Sequence, residues 1–230
     1  MTTTAIPVGP RRRPGGGGYA RGEETRARII AAALQVFGEE GYARASTRQI
    51  ADAAGVNPPA LQYYFDSKEG LHRACAEFIV GQVRELLAET MAAADEARAT
   101  GDRERMIGAV CDMIAVLADF ALSSEDKARW SRFMGRGEVD DAGPAFGLLR
   151  DGMVRPIHEA FAALVGPLIG QPPDSVETHL RAIALLSPLM AFHAKRASTL
   201  EILGWTDFTG DHIGEIKAAL LAHTRAALSR

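Results

Sequence analysis

Three observations predict an all-α fold for this 230-residue chain. Apolar residues recur at three- and four-residue intervals over most of its length, the period of one helix face. Short polar residues stand where helices must begin, and glycines or prolines where they must end. No stretch alternates apolar and polar residues over the length of a strand.

Taken in order, residues 1–20 hold Pro7, Pro10, Pro14 and a run of glycines at 15–18 without apolar periodicity, and are expected to form a flexible basic arm. The glycine run lacks the Gly-Lys-Ser/Thr that would cradle a phosphate, so a nucleotide loop is excluded. Ile29, Ile30, Ala33, Leu34 and Phe37 then mark a first helix that Gly41 stops. Ser46-Thr47-Arg48-Gln49 has the form of a capping box and opens a second helix that ends at Gly55. Asn57 caps a third, with Pro58 in its first turn, where a missing N–H breaks no helical bond. A fourth starts near Ser67 and runs to about Met91. Further helices are expected at about 103–122, 126–136, 144–169, 174–202 and 211–229, with Pro156 and Pro188 kinking or interrupting theirs.

With 47% apolar and 24% charged residues, the composition is that of a globular domain and excludes wholesale disorder. Two cysteines, Cys75 and Cys111, are too few for a disulfide framework and have no metal-ligand spacing. No apolar stretch reaches the roughly 18 residues needed to span a bilayer, so no membrane role is expected and a cytoplasmic location is. Net charge is −3, but it is unevenly spread. Arg11, Arg12, Arg13 and Arg21 stand in residues 1–22 with no acid, whereas residues 76 onward carry sixteen basic against twenty-two acidic side chains. A polyanion would be met at the N-terminal end and repelled elsewhere. The arm itself is either an untethered tail or a basic strand lying along nucleic acid.

The region 47–65 carries the functional pattern. Two helices joined by a glycine turn cross closely only if chosen positions are small or apolar. Counting from Thr47, Ala51 falls fifth, Gly55 ninth and Leu61 fifteenth, with Ile50, Val56 and Phe65 filling the corner. That is the helix-turn-helix arrangement, in which the second helix enters the major groove of DNA.

The stretch Thr47-Arg48-Gln49-Ile50-Ala51, Ala54-Gly55-Val56-Asn57, Leu61, Tyr64-Phe65 and Ser67-Lys68-Glu69-Gly70-Leu71 resembles the DNA-binding domain of the TetR (tetracycline repressor) family over about residues 25–71. Arg132-Phe133-Met134, Pro144-Ala145-Phe146, Pro156 and Leu203-Gly204-Trp205 resemble the C-terminal domain of its CecR-like subgroup. The resemblance implies a homodimeric transcriptional regulator in three parts: the arm at 1–20, a helix-turn-helix domain at 21–70, and a helical ligand-binding and dimerisation domain at 71–230. It also implies backbone contacts to DNA from Thr47, Tyr64 and Lys68, whose hydroxyl, phenol and ammonium suit phosphate oxygens. Arg48 and Asn57 belong to the same DNA-binding set, and Pro59 and Ala60 offer apolar contact to thymine methyls. Two positions depart from the family pattern: Pro58 stands where a basic residue is common, and Gln62 where tyrosine is. Gln62 is either a bidentate reader of adenine or a solvated residue facing the backbone, and Tyr63 is the other candidate base reader.

In the larger domain, Met106, Val110, Met113, Leu117 and Phe120 share one helix face, and Phe133 and Phe161 add aromatic surface. Such a stripe is commonly core. The resemblance implies that Met106, Val110, Met113, Phe133 and Phe161 line a site for a small apolar or aromatic effector. Leu180, Ile183, Ser187 and Met190 form one apolar seam, and Ile213, Ile216, Leu220 and Thr224 another, together expected to build a two-fold dimer interface. His158, His179, His193, His212 and His223 fall into no zinc motif, and neither a metal nor another cofactor is expected. The function expected is a ligand-responsive regulator, a repressor by the family's commoner habit, on a palindromic double-stranded DNA operator. The alternatives are an activator, a ligand-independent DNA-binding protein and an all-α enzyme.

Overall fold

A computed structural model of the chain describes residues 17–122, 130, 132–135 and 143–229, and its elements are all helical. Helix α1 (Gly17–Arg44) begins inside the stretch expected to be arm, so the arm's boundary at residue 20 is too late. The helix-forming run after Gly22 carries the helix back over glycines whose own helix propensity is poor. Arg11, Arg12 and Arg13 lie outside the described residues, as does part of the helix expected at 126–136. Gly41 ends the regular part of α1 by leaving helical geometry (φ 79°, ψ 162°).

Helix α2 (Thr47–Ala54) carries the expected capping box. Ser46 Oγ accepts from the Gln49 backbone N–H at 3.2 Å, and Gln49 Oε1 accepts from the Ser46 N–H at 2.9 Å. Gly55 closes it in the left-handed conformation (φ 65°, ψ 38°). Helix α3 (Pro58–Phe65) starts at Asn57, whose Oδ1 accepts from the Ala60 N–H at 2.9 Å. Between α3 and α4 (Lys68–Thr100) the chain reverses in a γ-turn, the Ser67 N–H donating to the Phe65 carbonyl at 2.6 Å across Asp66 (φ 58°, ψ −44°). Helix α4 then runs nine residues past Met91, until left-handed Gly101 stops it.

Helix α5 (Arg103–Leu122) precedes a short α6 (Phe146–Leu149), a π-helical turn (Arg150–Val154) and α7 (Arg155–Leu168). Pro156 sits in the first turn of α7, directly after the π turn, which is how the chain accommodates the missing N–H without ending the helical path. The helix expected at 174–202 is two, α8 (Val176–Ala194) and α9 (Arg196–Leu203), broken at Lys195. That break lets the Arg196 guanidinium stack 4.2 Å over the Phe208 ring and pair with Asp207. Pro188 leaves α8 continuous, because the carbonyl it cannot serve belongs to exposed Ala184. Helix α10 (Gly210–Leu228) closes the fold.

Two buried clusters form the core. One joins α1, α2 and α3 to the first half of α4 and to Phe120, Phe133, Ala145 and Leu149. The other joins the end of α4 to α5, α7, α8 and α10. The first crosses the domain boundary expected at residue 70 without a gap, since Leu71, Cys75, Ile79 and Val83 of α4 pack in it with Ile50 and Leu61. Arg103 fastens the second by donating to the carbonyls of Leu168 (2.7 Å) and Leu228 (2.5 Å), the last turns of α7 and α10. A cation at two helix C-termini also suits their dipoles.

Candidate nucleic-acid interface

Helices α2 and α3 pack through buried Ile50, Ala51, Leu61 and Phe65, and the Val56 N–H donates back to the Ala51 carbonyl at 3.0 Å. With those faces turned inward, α3 presents Gln62 and Tyr63 outward. Tyr63 is 82% exposed, which for an aromatic side chain leaves a large apolar surface in water. Its ring meets Tyr64 edge-on at 5.3 Å. Tyr64 is half-buried, its hydroxyl near Gly22 of α1. Ala60 is half-buried, and Asn57 spends its carbonyl oxygen on the cap, leaving its amide NH₂ exposed.

Two helix N-termini flank this surface. Thr47 is the first residue of α2, with Arg48 exposed beside it, and Lys68 is the first of α4. Lys68 Nζ donates to the Ala43 carbonyl at 3.3 Å and lies 4.6 Å over the Tyr42 ring. The ammonium is therefore tethered to α1 while remaining half-buried at the surface. Gly70 has a structural duty here: a Cβ on it would stand 2.3 Å from the Phe65 carbonyl oxygen, so only glycine lets α4 leave α3 this tightly. Helix termini, a cation and hydroxyls around an exposed aromatic and amide make a surface suited to phosphates at its edge and base edges at its centre.

One buried group behind this surface was not singled out by the sequence pattern. His72 is 7% exposed, stacked against Phe37 (4.7 Å, edge-on), Tyr42 (4.6 Å) and Phe133 (4.9 Å). Its Nδ1 finds no hydrogen-bond partner among the described residues. Burial, and then the nearby Lys68 charge, push its pKa down to about 4. The available signal was a histidine on the apolar face of α4 shared with Cys75, Ile79 and Val83.

The expected effector residues divide between the two cores. Met106, Val110, Met113 and Phe161 are buried together in the second cluster, whereas Phe133 packs in the first, against the DNA-binding helices. The expectation that Phe133 shares their site is corrected: its ring fills the junction with α1 and α4. The dimer seams divide as well. On α8, Leu180, Ile183, Ser187 and Met190 are exposed, and Val176 extends the same stripe. On α10, Ile213, Ile216, Leu220 and Thr224 are buried in the chain's own core, so that half of the expected interface is corrected. They are the residues that seat α10 within the fold, and the face α10 leaves outward combines Ala218, Ala219, Ala222 and Ala226 with Glu215, His223 and Arg225. His158 Nε2 and His179 Nδ1 approach to 2.9 Å between α7 and α8, and no group of three metal-ligating side chains occurs among the described residues. No described helix is long and apolar enough to cross a membrane.

Comparison with known proteins meets this geometry. Residues 29–75 match the bacterial regulatory proteins of the tetR family, and residues 102–229 match the C-terminal domain of the HTH-type transcriptional dual regulator CecR. The chain is 30% identical over 209 residues to CecR of Shigella flexneri, covering 88% of this chain and 91% of that one. Among solved structures, NalD of Pseudomonas aeruginosa, a secondary repressor of the MexAB-OprM multidrug efflux pump, superposes with a TM-score of 0.56 at 20% identity, over 90% of this chain and 97% of NalD. A TetR transcription regulator from Haloarcula marismortui gives 0.56 at 16% identity, over 89% and 98% of the two chains. The fold, the exposed face of α3 and these matches over both halves agree: the chain belongs to the TetR family of bacterial transcriptional regulators, DNA-binding proteins rather than enzymes, and carries a CecR-type C-terminal domain.

Proposed function

We propose that this regulator binds a palindromic operator as a homodimer, represses transcription there, and is released by a small apolar or aromatic effector. The observation that carries the DNA half is the 82% exposure of Tyr63 on a helix whose other aromatics, Tyr64 and Phe65, are half-buried and buried. Tyr63, Gln62 and Ala60 read bases; Thr47, Arg48, Asn57, Tyr64 and Lys68 hold the backbone. The dimer half is supported by the exposed stripe Val176, Leu180, Ile183, Ser187 and Met190, an apolar face of helical period suited to a helix–helix seam. Two-fold protein symmetry then calls for two-fold DNA. The effector half rests on the methionine- and phenylalanine-rich cluster of Met106, Val110, Met113 and Phe161, an adaptable apolar interior.

Selection from random DNA, followed by gel retardation at physiological salt, tests the reading. An inverted repeat retained in preference to random sequence is the expected result. Equal retention of any duplex would overturn it. The dual regulation in the CecR relative's name supports a second reading, activation at some promoters, which transcription assays on both sides of the operator distinguish.

A further inference from the structure

Along α4, just past the DNA-binding helices, an open groove of about 750 Å³ is bounded by Arg73, Glu77, Val80, Gly81 and Arg84 on one wall and by Pro144, Gly147, Leu148, Asp151 and Gly152 on the other. Its size falls within the roughly 300–1,000 Å³ of small-molecule sites. None of the expected effector residues borders it. We propose that this groove is a second small-molecule site, separate from the buried methionine cluster, and that it takes a monoanionic amphiphile, an apolar body bearing one carboxylate.

The charges select the sign. Asp151 is committed to Arg150 (3.0 Å) and Arg155 (3.2 Å), and Arg73 to Glu69 (3.0 Å). Arg84 has no ion pair among the described residues, so its planar fork of donors is open to a carboxylate. With Arg73 and Asp151 neutralised, the open charges of the groove are Arg84 and Glu77, about two helical turns apart along α4, so the Arg84 end is the cationic one and there a carboxylate is favoured. Val80, Pro144 and Leu148 supply the surface for the apolar body.

The glycines select the shape. Gly152 belongs where it is: a Cβ there would meet Val80 Cγ1 at 2.8 Å, so the π turn packs directly on α4 and closes the floor. Gly81 and Gly147 have no such reason. A Cβ on either meets nothing within 4 Å, yet Gly81 sits inside α4, where glycine disfavours the helix relative to alanine. These two positions keep the groove open. The bordering π turn is consistent with this, since such turns occur frequently at functional sites.

Calorimetry on the full-length protein, with dodecanoate, dodecanol and dodecylammonium as probes, tests this. Dodecanoate is expected to bind, and the alcohol and amine at least about tenfold more weakly, because each loses a charge-assisted bond to Arg84. Arg84→Glu should weaken dodecanoate by a similar factor. Gly81→Leu and Gly147→Leu should abolish binding by filling the groove, and Gly81→Leu should melt no lower than the parent, because it favours the helix. Absence of dodecanoate binding, equal affinity for the three probes, or binding unaffected by all three variants would each overturn the proposal. Binding lost in Val110→Trp but retained in the groove variants would also overturn it, by moving the probe to the buried cluster. None of these readings depends on DNA, so the groove and the effector-release reading stand or fall separately.

Discussion

Truncating Lys68 removes both a tether and a charge, because the same ammonium holds the Ala43 carbonyl and covers the Tyr42 ring. Lys68→Ala is expected to weaken binding to all DNA sequences alike and to flatten the salt dependence by about one unit of slope. It should also cost about 1 kcal/mol of stability in a denaturant titration. Gln62→Ala and Tyr63→Ala should behave differently, relaxing selection at one or two operator positions with stability unchanged; an operator logo identical to the parent's would remove them as base readers. Gly70→Ala drives a methyl into the Phe65 carbonyl oxygen, and a loss of about 1–3 kcal/mol is expected. His72 predicts a pH dependence of known sign. Its folded pKa of about 4 lies below the ordinary 6.5, so between those values the unfolded chain binds a proton that the folded chain does not. Stability from this site is therefore complete above pH 6.5 and lost as the pH falls toward 4. His72→Phe keeps the ring contacts without the titration and should lose less stability than the parent between about pH 7 and 4.5. Equal losses in the two proteins would clear His72 of that role.

Helices α8 and α10 teach different lessons from the same kind of pattern. Each carries an apolar stripe of helical period, but Leu180, Ile183 and Met190 of α8 face water while Ile213, Ile216 and Leu220 of α10 are buried in the second core. Periodicity identifies a sticky face and says nothing about whether its partner is in the same chain. Ile183→Glu should therefore yield a folded monomer in sedimentation, with operator affinity greatly reduced. Ile216→Ala should leave the oligomeric state alone and cost about 2–5 kcal/mol, the penalty of a core cavity. A dimeric Ile183→Glu protein would locate the interface elsewhere. The same reasoning explains the effector set, where one helix face supplied Met106, Val110 and Met113 to a single core, but Phe133 joined another.

Across the whole molecule, α4 runs through both cores, its first half packed with α1–α3 and its end with α5 and α7. On the proposed effector release, α4 is the element that would carry a shift of its far end to α3, against which its first half packs. For both recognition helices of a dimer to seat, half-sites must lie about 34–36 Å apart, one turn of the duplex. An effector that favours another spacing releases DNA only through its differential affinity for the two states; a coupling of about 1–3 kcal/mol corresponds to roughly 5–150-fold. Linkage makes the effect reciprocal, so saturating operator must weaken the effector by the same factor. Effector affinity unchanged by operator would remove the allosteric reading and leave the DNA-binding one intact.

Local chemistry makes much of this protein legible in its amino-acid sequence. Ser46, Asn57 and Ser67 cap helices because their oxygens reach N–H groups only three residues away, and Gly41, Gly55 and Gly101 end them by conformations that need no distant partner. The helix-turn-helix spacing is local in the same sense, being two helices and a turn. What tertiary structure decided lies beyond that range. The γ-turn at Asp66 exists because α4 must leave α3 within a few residues. The His72 junction brings together Phe37, Tyr42 and Phe133, which are far apart in sequence, and the groove pairs residues around Val80 with residues around Asp151. Hydrophobic burial is nondirectional, so an apolar residue announces that it will be covered, and only the packed chain determines by what.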